Sequence, residues 1–212
     1  QNSGNLWLNA QNVQLHVKDF KLVDSDITAQ LSNFCFSADR NGEKYTVKNF
    51  TGQFHYSKQE IRIDNVNLRT DDSTLNGHFL LSYDKPSDMS DFNNKVRWDV
   101  FFDRGSIINF KDIRYFTDLF DNNSSVAVFG KAKGTLNDLT FTDFELNGGQ
   151  TYAGANQLKL TDMMNGDLKI YSKSLKATTS YDRLRNLLPT FVSKRIPIFI
   201  DRFGVMNYRG DL

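Results

Sequence analysis

The chain is 212 residues long, 39% hydrophobic and 13% aromatic, with 26 basic against 25 acidic side chains and a net charge of +1. So balanced a charge supplies no field for nucleic acid or acidic polymers. No stretch approaches the ~20 apolar residues of a membrane-spanning helix, and one cysteine, Cys35, excludes an internal disulfide and a cysteine metal centre.

The elements follow in chain order. The apolar share is concentrated in 18 Phe and 8 Tyr, and there are only three prolines. Large strand-favouring side chains with few ladder breakers predict extensive β pairing. Leu6–Leu8, Val13–Val17 and Phe20–Val23 read as short strands separated by Asn and Asp turns. Ile27–Ala38 follows as a strand region, with Cys35 an ordinary strand residue in it. It ends at Arg40-Asn41-Gly42-Glu43, a hairpin signal.

In Asn49–Tyr83 apolar residues recur at every second position: Phe54 and Tyr56, then Ile61 and Ile63, Val66 and Leu68, and Leu75, Phe79, Leu81 and Tyr83. Spacing by two describes strands with one apolar and one wet face. Turn clusters at Ser57–Glu60 and Thr70–Ser73 are short enough to join antiparallel neighbours. The parity flips at Asp64-Asn65, where a bulge keeps Val66 and Leu68 on the face of Ile61 and Ile63. His55, Arg62, Asp64, Asn76 and His78 fall on the wet face. Asp84–Asn94 reads as a polar loop holding Pro86, and Trp98–Phe102 as a strand with apolar residues at both parities. Short helices are expected at Asp112–Phe120 and at Tyr181–Leu188, the second stopped by Pro189. Leu168–Ile170 reads as a strand between them.

The pattern repeats. Gly130 takes the place of Gly52, a difference of 78, and Leu139 and Phe141 take those of Ile61 and Ile63. Asp143 falls at the Asn65 position, with Phe144 and Leu146 for Val66 and Leu68. After one deleted residue Gly154 is set against Gly77, and Leu158 and Leu160 against Leu81 and Tyr83. VMNYRGDL, Val205–Leu212, lies over VKNFTGQF, Val47–Phe54, with Gly210 at the Gly52 position. The expectation is one continuous β-rich repeat segment over 1–212, with copies at about 47–125 and 126–204 and a third beginning at 205, belonging to something longer.

The sequence holds no GxSxG, HExxH, CxxC or P-loop spacing. His16, His55 and His78 are far apart in sequence. His55 and His78 as cross-strand neighbours make at most a weak metal pair, with no carboxylate spacing to complete it. Asp71-Asp72 sits in a turn, and Gly148-Gly149 reads as a hairpin tip. No enzyme activity and no cofactor are expected. Arg183, Arg185, Lys194, Arg195 and Arg202 interleave with Leu and Phe between 181 and 203, the composition either of a helix on a membrane surface or of an amphipathic cover at one end of the sheet.

The signature hydrophobic-x-Asn-aromatic-x-Gly-x-hydrophobic, followed by alternating strands and TDDSTLNGHFLLSY, resembles the AsmA-like/TamB group of Gram-negative envelope proteins, in the form seen in Bacteroidetes. The resemblance covers most of residues 45–212. It implies a mostly β chain: an elongated repeat of antiparallel meanders with one hydrophobic face, a taco-like β-groove, with short helical insertions. It also implies phospholipid carried through the periplasm between inner and outer membranes, an inner-membrane anchor in the full-length protein, and an outer-membrane barrel assembly partner of the TamA type. On this reading the lipid path is lined by Phe54, Tyr56, Ile61, Ile63, Leu75, Phe79 and Leu81 in the first copy. In the second it is lined by Leu139, Phe141, Phe144, Leu158 and Leu160. The alternative is a structural or assembly scaffold that aids outer-membrane protein insertion through an exposed sheet edge.

Overall fold

A computed structural model describes residues 9–40, 43–116, 120–164 and 166–212. Its described residues form a mostly β structure of twelve antiparallel strands in one sheet that does not close into a barrel. These are β1 (Asn9–Val23), β2 (Asp26–Arg40), β3 (Glu43–Tyr56), β4 (Glu60–Thr70), β5 (Thr74–Ser82) and β6 (Arg97–Asn109), then β7 (Ser125–Thr135), β8 (Asp138–Gly148), β9 (Thr151–Thr161), β10 (Lys169–Lys173), β11 (Leu175–Thr179) and β12 (Met206–Gly210). Each strand up to β9 pairs with its successor, as short turns dictate. β10 and β11 lie along two stretches of β9, separated by Ser174 at φ 56°, and β12 pairs with β11.

The turns form where Ser and Thr side chains bond the backbone. Ser57 Oγ accepts from the Gln59 and Glu60 amides, both at 3.2 Å, and Thr70 Oγ1 accepts from the Ser73 amide at 2.7 Å. Four short helices break the succession: α1 (Phe92–Lys95), α2 (Phe110–Phe116), α3 (Tyr181–Leu187) and α4 (Thr190–Ser193), with 3₁₀ turns at Pro86–Asp91 and Ile198–Phe203.

Several expectations need correction. Val13–Val17 and Phe20–Val23 belong to one strand, because Asn12 and Asp19 take positive φ (54° and 51°) beside register shifts and so act as bulges, not turns. Asp84–Asn94 is folded: the Asp88 amide donates to the Lys85 carbonyl at 2.9 Å and the Lys85 amide to Asp88 Oδ2 at 3.1 Å, which starts the 3₁₀ turn. The helix expected at Asp112–Phe120 starts earlier, at Phe110, and 117–119 lie outside the described residues, as do Leu6–Leu8 and residues 41 and 42 of the β2–β3 hairpin.

Irregularity crosses the sheet in one line. Five successive strand pairs, β3–β4 through β7–β8, each carry a mid-strand register shift. Val66 pairs with Gly77, Gly77 with Phe102 and Phe102 with Gly130, so these sites are direct neighbours. Asn65 and Asp143 both take left-handed backbone, φ 53° and 49°. A bulge bends its strand and increases twist, and a row of them bends the sheet. At Gly77 (φ 150°) an added Cβ overlaps the Phe101 carbonyl oxygen, and at Gly130 (φ 121°) it lies 2.7 Å from that of Asp143.

The pairing repeats as well. Thr51–Asn67, Phe54–Ile63 and Tyr56–Ile61 of β3–β4 recur as Phe129–Glu145, Ala132–Phe141 and Gly134–Leu139 of β7–β8, each shifted by 78. The offset persists in Val66–Gly77 and Phe144–Ala155, but Ile63–Phe79 corresponds to Phe141–Leu158. So Ala155, not Gly154, stands at the Gly77 place, and Leu158 and Leu160 stand for Phe79 and Leu81. β9 gains a residue where the sequence alignment removed one. Strand β4 has two residues, Asp64 and Asn65, facing His78 alone; β8 has Thr142 and Asp143 facing two.

Gly77→Ala and Gly130→Ala are expected to lower stability by about 2 kcal/mol or more, because backbone must move. Gly149→Ala, at φ 65° with nothing within 4 Å, is expected to cost about 1 kcal/mol. Urea unfolding of the three variants tests the ranking.

Candidate functional site

Cross-strand partners in an antiparallel ladder share a face, so register places the residues expected to line a lipid path. Phe54 pairs with Ile63, Ile63 with Phe79, Phe79 with Val100, Val100 with Ala132, Ala132 with Phe141 and Phe141 with Leu158. A parallel row runs Tyr56, Ile61, Leu81, Trp98, Gly134, Leu139, Leu160. Leu75 pairs with Leu68 beyond the bulge, and the Phe144 ring lies 5.2 Å from that of Phe141. Eleven of the twelve expected residues are half-buried, Leu139 is buried, and none is exposed.

Ile61, Ile63, Leu75, Phe79 and Leu81 line a common concavity of about 320 Å³ with Phe50, Val66, Leu68 and Trp98. Sequence reasoning left Phe50 and Trp98 out of the site. Phe50 was legible only as the aromatic of the glycine motif, and Trp98 needed the β5–β6 register, which sets it opposite Leu81.

Helical insertions border this concavity. The Tyr115 ring of α2 stacks on Tyr45 of β3 at 5.2 Å, in a cluster that includes Phe50 and Leu68. Asp112 accepts from Thr70 Oγ1 at 2.6 Å, and Lys111 pairs with Asp72 at 2.8 Å, so α2 is tied to the β4–β5 turn. Burial, reinforced by the Asp112 carboxylate, pushes the Tyr45 phenol above its usual range. At the other end of the strands the Phe92 ring of α1 meets Trp98 edge-on at 5.8 Å.

The reverse side of the ladder is charged. His55 Nδ1 lies 2.8 Å from Glu60, His78 bonds Asp64, and Arg62 lies between Glu60 and Asp64 at 3.7 and 3.2 Å. The two histidines are not cross-strand neighbours, since β4 separates their strands and each has its own carboxylate. Leu80 and Phe101 share this side, paired with Arg62 and His78. Asp71 and Asp72 are each taken up by a lysine, Lys48 at 3.1 Å and Lys111. Cys35 lies in β2, its Sγ 3.7 Å from Gln14 Oε1. Among the described residues no group of three His, Cys, Asp or Glu is placed to hold a metal, and no helix is long and apolar enough to cross a membrane.

A larger cleft, about 620 Å³, opens beside Gly154 and Gly210. Its charges are mixed, with Arg104, Lys176 and Arg209 against Asp143, Glu145 and Asp211. Arg104 bonds both Glu145 oxygens at 2.9 Å and lies 4.1 Å over the Phe129 ring. Such a balance selects no ligand charge.

The described residues define a single-sheet antiparallel β protein that does not close into a barrel. Comparison of the chain with protein-family models, curated proteins and solved structures finds no match.

One pH dependence follows. Burial raises the Asp99 carboxyl, but the ammonium groups of Lys133 at 2.7 Å and Lys131 at 3.4 Å outweigh it and hold the group below its usual range. Because the folded pKa is depressed, the stabilisation is present above the unfolded value, about 4, and is lost as pH falls through the folded value. Asp99→Asn should therefore lower Tm at pH 7 and have a vanishing effect once pH drops below the folded pKa. Thermal melts of both chains across that range check this.

Proposed function

We propose that the chain is a segment of a periplasmic bridge that carries phospholipid between inner and outer membranes along a hydrophobic β-groove, without catalysis, within a longer protein anchored in the inner membrane. The carrying observation is that Phe54, Ile63, Phe79, Phe141 and Leu158 of the paired apolar rows are only half-buried, beside buried Val100, Ala132 and Leu139, with no second sheet against them among the described residues. A closed core buries such side chains fully. Partial burial leaves them within reach of a solute, as an open trough requires. An acyl chain entering it gains about 0.8 kcal/mol per buried CH₂, while headgroups remain in water. Repeated near-equivalent positions let a lipid move without a deep specific site.

A second reading is an assembly scaffold that lends a sheet edge to an outer-membrane barrel assembly partner. What favours it is β1, an edge strand on which Val13, Leu15, Phe20, Leu22 and Val23 are each more than half exposed.

The variants Ile63→Asp and Phe141→Arg separate the readings. In an open trough the new charge reaches water, so Tm should change little, while photo-crosslinking of lipid from a probe at Phe79 should fall at least several-fold. In a closed core the same charge is buried unpaired and costs about 3–5 kcal/mol. Collapse of the fold, with no lipid crosslink even from the parent chain, removes the conduit and leaves the scaffold.

A further inference from the structure

The segment that follows α3 is used by neither reading. Pro197 caps the 3₁₀ turn Ile198–Phe203, which is closed by bonds from the Ile200 amide to the Pro197 carbonyl (3.2 Å) and from the Gly204 amide to that of Asp201 (3.3 Å). Gly204, at φ 63°, reverses the chain in open space, with nothing within 4 Å of where a Cβ would stand. On this turn Ile198 is 78% exposed, Phe199 59% and Phe203 65%, and the two phenyl rings meet edge-on at 6.4 Å. Most of the large apolar side chains that are exposed elsewhere among the described residues lie on strands, chiefly β1. Here they stand on a projecting, internally bonded turn.

The charges around it are not balanced. Lys194, Arg195 and Arg202 are exposed and outnumber Asp201. Arg195 donates to the Gly166 carbonyl, tying the segment to the β9–β10 connection while its positive charge stays at the surface. On α3, Arg185 lies over the Tyr181 ring at 5.4 Å and Arg183 is offset by Asp182. Residues 189–205 thus carry three exposed basic side chains against one acidic, with Lys194 and Arg195 just ahead of the turn and Arg202 on it.

We propose that residues 189–205 form a contact for an anionic bilayer surface, with Ile198, Phe199 and Phe203 entering the boundary of headgroups and acyl chains and Lys194 and Arg202 meeting lipid phosphates. Aromatic and aliphatic side chains beside excess basic residues are the composition that binds such interfaces, and cations there complement anionic headgroups. The turn closes its own hydrogen bonds, so insertion needs no refolding. Three apolar side chains make a shallow and reversible anchor, suited to a contact that forms and releases. The inference rests on the envelope reading in one respect, that a bilayer lies within reach; it does not require the trough.

Flotation of the intact chain with vesicles tests it. Binding is expected to vesicles of equal phosphatidylglycerol and phosphatidylcholine, to fall with added salt, and to be much weaker with phosphatidylcholine alone. Phe199→Ser/Phe203→Ser and Lys194→Glu/Arg202→Glu should each lower partitioning about tenfold with unchanged Tm, since all four side chains are exposed. No flotation with the anionic vesicles, or flotation that neither variant weakens, overturns the proposal. So does self-association of the parent chain in the absence of lipid that the phenylalanine variant abolishes, because a second copy then covers the patch. Lipid crosslinking at Phe79 in the same variants keeps the ideas apart: unchanged crosslinks with lost flotation affirm the contact independently of the conduit, and lost crosslinks in the parent chain count against the conduit alone.

Discussion

A single sheet satisfies its backbone hydrogen bonds strand to strand but has nothing of its own to lay against an apolar face. Everything distinctive in this fold answers that constraint. Among the described residues there is no second sheet, and the helices are too short to cover twelve strands. What remains is curvature. Register shifts run in line from Gly52 through Asn65, Gly77 and Gly105 to Gly130, irregularities of the kind that bend and twist strands, and Ile63, Phe79 and Leu81 line one concavity. The cost is backbone in unusual conformations. Short polar residues, Asn65 and Asp143, and glycines supply it, because left-handed backbone is least strained there.

The reverse side shows the complementary solution. Arg62 lies between Glu60 and Asp64 along β4, and Asp99 of β6 faces Lys131 and Lys133 of the neighbouring β7. Each exposed pair contributes little to stability, yet the ladder leaves no doubt which side faces water, since a one-residue slip would put charges into the apolar rows. The insertions then close the ends of the strands. Helix α2 carries Tyr115 to Tyr45, and α1 carries Phe92 to Trp98, at opposite ends of the strands.

Much of this was legible in the sequence where local chemistry decides the geometry. Alternation named the strands and the face of Ile61 and Ile63, and the parity flip at Asp64-Asn65 located a bulge. What failed depended on partners. Asn12 and Asp19 look like turn residues, but pairing with β2 holds them inside one strand as bulges. The residue placed as a deletion before Gly154 is an insertion after Ala155, visible only when β8 is laid against β9. Trp98 joins the site through a strand 15 residues beyond Tyr83, and the capping interactions of Lys85 and Asp88 folded a stretch whose composition reads as loop.

The central claim is that the apolar concavity is open to a lipid chain. Native mass spectrometry of the purified chain, before and after incubation with phospholipid vesicles, tests it most directly. The account predicts adducts at phospholipid masses that deplete when Phe79 and Ile63 are both replaced by aspartate and the chain remains folded. A bare chain in every preparation, with no uptake from vesicles, would contradict it.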